Sequence, residues 1–94
     1  MTTLYAVTRA EEDESKPHLV NAHVYVNRGI ALALACQSAE QLARDMVDAD
    51  RIDGDDRVWT VNYDDDGASI FMDNEFAWRF EIIELTVDLT PPLG

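Results

Sequence analysis

The chain has 94 residues, a formal net charge of −12 and one lysine, Lys16, against nineteen acidic residues, twelve of them aspartate. That length supports one domain, and 47% hydrophobic content is too apolar for a disordered acidic tail. Six singly scattered arginines make no basic patch for DNA or RNA, an anionic surface is repelled by phosphate and by anionic lipid, and the longest apolar run, Ile30 to Cys36, is far short of the ~20 residues that span a bilayer.

The first residues lack a basic leader followed by an apolar core, so they do not read as a signal peptide, and a cytoplasmic protein is expected. Leu4 to Val7 is a short β-prone run. It gives way to Arg9–Pro17, a charged loop that carries Glu11, Glu12, Asp13 and Glu14. Val20, Ala22, Val24 and Val26 then alternate with Asn21, His23, Tyr25 and Asn27, the pattern of a half-buried strand with the valine face inward. Asn27-Arg28-Gly29 offers turn chemistry, and Ile30 to Ala35 reads as the returning strand. The alternative is one long helix running from Ile30, since Ala and Leu favour helix.

Ser38-Ala-Glu-Gln41 has the form of a capping box. The helix after it would bury Ala39, Leu42, Ala43, Met46 and Ala49 and end near Asp50, which would point inward if the helix continued. Arg57 to Tyr63 alternates again, with Trp59, Val61 and Tyr63 on one face. Asp64-Asp65-Asp66-Gly67 reads as a hairpin turn, Ala68 to Met72 as the return, and Asp73-Asn74 as a second turn into a strand from Glu75 to Leu89. In that last strand the apolar parity switches between Ile82 and Ile83, which predicts a bulge or bend there, and Pro91-Pro92 ends it. The expected fold is α+β: a mainly antiparallel sheet of five to six strands with one principal helix, in the order β-β-β-α-β-β-β.

No motif announces a catalyst. Asp48 to Gly54 resembles the start of a calcium loop, but Ile52 sits at the third ligand position and Trp59 where a bidentate glutamate is needed. His18 and His23 are expected on opposite faces, and the serines lack an elbow motif. The lone Cys36 makes no internal disulfide and reads as a small hydrophobe. No cofactor is implied.

The charge is clustered. Asp45, Asp48, Asp50, Asp53, Asp55, Asp56, Asp64, Asp65 and Asp66 stand against Arg51 and Arg57 alone, a local net charge of −7. The plain reading is a solvated helix face and solvated loops. Yet Asp48 and Asp50 sit near the expected helix C-terminus, where the macrodipole disfavours an anion by ~0.3–1 kcal/mol. Carboxylates several ångströms apart resemble a phosphate backbone in charge and rough spacing. With the run from Glu11 to Glu14 they form the expected partner-binding set.

In size, charge and sheet-plus-helix plan the chain resembles the small acidic anti-defence proteins of phages and other mobile elements, of the anti-CRISPR and DNA-mimic anti-restriction kinds. The resemblance covers the whole chain through no sequence motif. It implies a non-enzymatic inhibitor that masks the basic nucleic-acid-binding surface of a host protein or complex in the host cytoplasm, without touching nucleic acid or membrane itself. A homodimer stays open. Two other readings compete: a small cytosolic protein whose acidic surface suits high salt, and a metal-binding protein built on paired carboxylates.

Overall fold

A computed structural model describes residues 2–11, 17–20 and 23–88. Strands β1 (Thr2–Glu11) and β2 (His18–Leu19) precede one helix, α1 (Arg28–Asp53), and strands β3 (Trp59–Asp64), β4 (Gly67–Met72) and β5 (Glu75–Val87) follow it. The sheet is antiparallel with strand order β2-β1-β5-β4-β3. The α+β class and the single principal helix are as expected. The element order is β-β-α-β-β-β, with five strands in the sheet.

The difference lies in residues 28–53. Asn27, not Ser38, caps the helix: its backbone is extended and its side-chain oxygen accepts from the Ile30 amide at 3.1 Å. Ala31, Ala35, Ala39 and Ala43 are buried at a spacing of four, a helical period that begins inside the expected return strand. Alternating Ala and Leu over Ile30 to Ala35 therefore continue the helix, as their propensity favours. Ser38 is half-buried in mid-helix. The helix stops at Gly54, whose φ of 78° is the left-handed C-cap conformation, and the amides of Gly54 and Asp55 both donate to the Asp50 carbonyl.

The expected strand over Val20–Val26 is also corrected, apart from Asn21 and Ala22, which lie outside the described residues. Among the described residues of this stretch only His18–Leu19 is a strand, and Tyr25 makes an isolated bridge to Tyr5. Val20 donates to the Val7 carbonyl and Tyr25 exchanges hydrogen bonds with Tyr5; the step from Val7 to Tyr5 is two residues and that from Val20 to Tyr25 is five, so the two contacts do not share one register. The valines are exposed (Val24 52%, Val26 77%), and it is Tyr25 that packs on the core.

The parity switch in the last strand has another cause as well. β1 and β5 keep one register from Thr2↔Val87 to Glu11↔Trp78, without a break at Ile82 and Ile83. β5 is a central strand. Phe80 and Ile82 bury against the helix, while Ile83, Leu85 and Val87 are half-buried on the opposite face. The bulge occurs on the other edge of β5, where the β4 register shifts between Ile70 and Phe71 and leaves Ala77 unpaired. The core joins the alanine stripe of α1 to Val7, Ala68, Ile70, Phe80 and Ile82, with Trp59, Val61 and Trp78 against it.

Both hairpins exist, formed by different chemistry. Asp73 and Asn74 have φ of 50° and 68°, the two positive values of a type I′ turn. At the acidic hairpin, Asp64 Oδ1 accepts from the Asp66 amide (2.9 Å) and the Gly67 amide (3.0 Å). This is an Asx turn, and it needs no positive φ. Gly67 is required for closeness, since a Cβ there would meet the Phe80 carbonyl oxygen at 2.0 Å.

Candidate functional site

The acidic segment folds into two groups at opposite ends of β3. One lies where α1 ends and β3 begins, and the other is the hairpin after β3. Six strand residues separate them, about 17 Å at the usual strand rise. The single acidic face that sequence clustering suggested is thus divided.

At the first end, Asp50 is 3% exposed and faces the sheet, one turn beyond Met46 and in phase with the alanine stripe. Its Oδ1 accepts from Arg57 Nε at 3.1 Å and from Arg57 Nη2, and its Oδ2 accepts from the Trp59 indole at 2.7 Å. The guanidinium lies 5.8 Å from the Trp59 ring centre, and Trp59 stacks on Trp78 at 5.9 Å and 19°. The Arg57 hydrogen bond, then that of Trp59, hold the Asp50 carboxyl below its usual range. Asp50 is corrected from a partner-binding residue to a structural clamp. The helix dipole argument does not apply to it, because the cation that stabilises it arrives from the following loop. Around the clamp, Asp53, Asp55 and Asp56 are exposed. Asp55 shares Arg57 at 3.3 Å, and Asp53 and Asp56 make no ion pair among the described residues.

At the second end, Arg79 of β5 donates to both oxygens of Asp64 (2.8 and 3.1 Å), to Ser69 (2.9 Å) and to Glu81 (3.1 Å). The Arg79 hydrogen bonds, ahead of those from the turn amides, lower the Asp64 carboxyl to about 2. Arg28, from the first turn of α1, donates to the Asp65 carbonyl (2.7 Å) and to Asp66 Oδ1 (3.0 Å). Asp64 therefore builds the turn and Asp66 anchors the helix start, while the Asp65 carboxylate is exposed.

On the helix, Asp45 accepts from Gln41 at 2.9 Å and Asp48 lies 4.0 Å from Arg51, both exposed. Glu11 ends β1, half-buried, 3.5 Å from Arg9. Glu12, Asp13 and Glu14 lie outside the described residues. What sequence reasoning missed is the arginines: read as scattered singly, each of the six pairs with a carboxylate. The signal for Asp50 was its phase on the alanine stripe. The signal for Arg79 lies in the hairpin register, which sets it beside Ser69.

Cys36 is half-buried, and burial, followed by the negative charge of Glu40 and Asp64, raises its thiol above the ordinary range, away from the reactive thiolate. Tyr63 donates to Glu40 at 2.6 Å, and that bond raises its phenol. Among the described residues, no three His, Cys, Asp or Glu side chains come together to hold a metal ion, and no helix is long and apolar enough to cross a membrane. The chain matches no known protein family, and comparison with curated proteins and with solved structures finds no similar one.

Proposed function

We propose that this chain is a non-enzymatic binding protein that occupies a basic, nucleic-acid-binding surface of a partner and so inhibits it by charge mimicry. The observation that carries the reading is the exposed group Asp53, Asp55 and Asp56 at the C-terminal end of α1. An anion there is disfavoured by the helix dipole by ~0.3–1 kcal/mol. Among the described residues Asp53 and Asp56 make no ion pair in return, so their exposed carboxylates are open to a cation on a partner. Asp65 and Asp66 supply a second patch about 17 Å away along β3, roughly five base-pair steps of a duplex. Inhibition of the anti-CRISPR or DNA-mimic kind fits this arrangement, with the partner steered in by charge.

The test separates displayed aspartates from structural ones. Asp53, Asp56 and Asp65 are replaced together by asparagine, leaving Asp50 and Asp55 in place to hold Arg57, Asp64 to hold Arg79 and Asp66 to hold Arg28. The immobilised wild-type chain is expected to retain a basic nucleic-acid-binding protein from host lysate, to release it at moderate salt, and to lose it to competing duplex DNA. The variant, with an unchanged circular dichroism spectrum, retains none. Equal retention by both chains overturns the reading.

A further inference from the structure

The free edge of the sheet offers something the acidic patches do not. β3 is the terminal strand beyond β4. Val58 exchanges hydrogen bonds with Asp73, and the hairpin closes at Asp64↔Gly67. The alternation of an antiparallel ladder then turns the amides and carbonyls of Thr60 and Asn62 toward β4 and those of Trp59, Val61 and Tyr63 outward. Among the described residues these outward groups have no backbone partner. Above them lies an open groove of about 490 Å³, floored by the same three side chains and walled by α1 around Val47. Val47 (41%) and Tyr63 (56%) are exposed in it.

The helical wall alternates in sign: Glu40, Arg44, Asp48, Arg51. A uniformly basic strand would meet two arginines there. An inverted copy of the same wall would set Glu40 opposite Arg51 and Arg44 opposite Asp48. The strand below has its symmetry centre at the same level. Tyr63 bonds Glu40 and Trp59 bonds Asp50, so β3 runs antiparallel to α1, and Val61 lies level with the middle of that helical stretch. One two-fold axis through Val61 thus pairs Trp59 with Tyr63 of the second copy and inverts the charge stripe onto itself.

We propose that the β3 edge is a self-association surface whose occupant is a second copy of this chain, paired antiparallel across Val61, with the two sheets continuing into one. The opposing term is repulsion. Each chain carries −12, and the same axis sets Asp56 near Asp66 of the other copy while Arg57 approaches its Asp65. Salt that shortens the screening length from about 10 Å at 0.1 M to about 3 Å at 1 M therefore tightens the dimer, the reverse of its effect on a basic partner.

Sedimentation of the full chain from about 0.05 to about 1 M NaCl tests this. The expected result is a monomer–dimer equilibrium whose dissociation constant falls at least ~tenfold as salt rises. Val61→Lys, which places two cations on the axis, abolishes the dimer. Arg44→Glu weakens it, and Arg44→Glu with Asp48→Arg restores it, because the exchanged signs again match on inversion. The two helix positions are exposed, so this pair decides the matter even if Val61→Lys disturbs the strand. A chain that stays monomeric at every salt concentration overturns the proposal, as does a dimer indifferent to Val61→Lys and Arg44→Glu.

Discussion

At the scale of the residue, the aspartates divide into those that hold the fold and those that face outward. Asp50 is the clearest of the first kind: one carboxylate satisfies the Arg57 guanidinium and the Trp59 indole with its two oxygens, and an amide in its place removes the charge and sets an NH2 donor against one of those two donors at the helix–sheet seam. Asp50→Asn is expected to lower the melting temperature by roughly 10 °C, whereas Asp53→Asn, at an exposed site with no ion pair among the described residues, should leave it within about 2 °C, as thermal denaturation followed by circular dichroism will show. Asp64 gives a pH signature. Its carboxyl is lowered from an ordinary 3.8 to about 2. A group lowered on folding contributes stability that is complete above its unfolded value and lost as pH falls through the folded one. Between about pH 4 and pH 2 the wild-type chain should lose more stability than Asp64→Asn does, as urea midpoints across that range will measure.

At the scale of the element, α1 lies close on the sheet because its inward stripe is alanine. Ala31, Ala35 and Ala39 are fully buried, and protein interiors are close-packed, so a larger side chain there must displace its neighbours. Ala35→Leu is expected to destabilise the chain by about 1–3 kcal/mol through overpacking, even though leucine is a good helix former. Phe80→Ala, which empties a buried site on the opposing strand, should cost about 3–5 kcal/mol in the same denaturation assay. The helix shows how local signals compete. Ser38 to Gln41 satisfies the form of a capping box, yet Asn27 lies eleven residues earlier in a turn where its side chain reaches an amide of the first helical turn. Once the helix has begun there, adding each further residue costs less than starting again at Ser38. The expected β-hairpin over residues 20–35 failed for that reason, and because the valine face of its first strand found no surface to cover it.

At the scale of the whole molecule, charge is the dominant long-range term. The ion pairs tie α1 to both ends of β3, but a net −12 on 94 residues still repels itself. Raising NaCl from about 0.02 to about 1 M should therefore raise the melting temperature. A cooperative transition already present at the low end agrees with a protein that displays its acids to a partner. A chain that folds only near 1 M salt supports instead the reading in which the acidic surface is an adaptation to high salt.

The amino-acid sequence by itself determined the class of the fold, the two acidic hairpin and loop segments, the helix over its second half and the strands after it. It did so because those features are local: side-chain alternation, turn chemistry at Asp64–Gly67 and Asp73–Asn74, and apolar spacing along a helix are all written in neighbouring residues. Only the tertiary structure decided which aspartates are available. Asp50 and Arg57 are joined by a turn, Asp64 and Arg79 by a strand register, and Arg28 and Asp66 by a helix laid across the sheet. Opposite charges far apart in the chain neutralise each other only where packing brings them within a few ångströms, and that distance depends on every element between them.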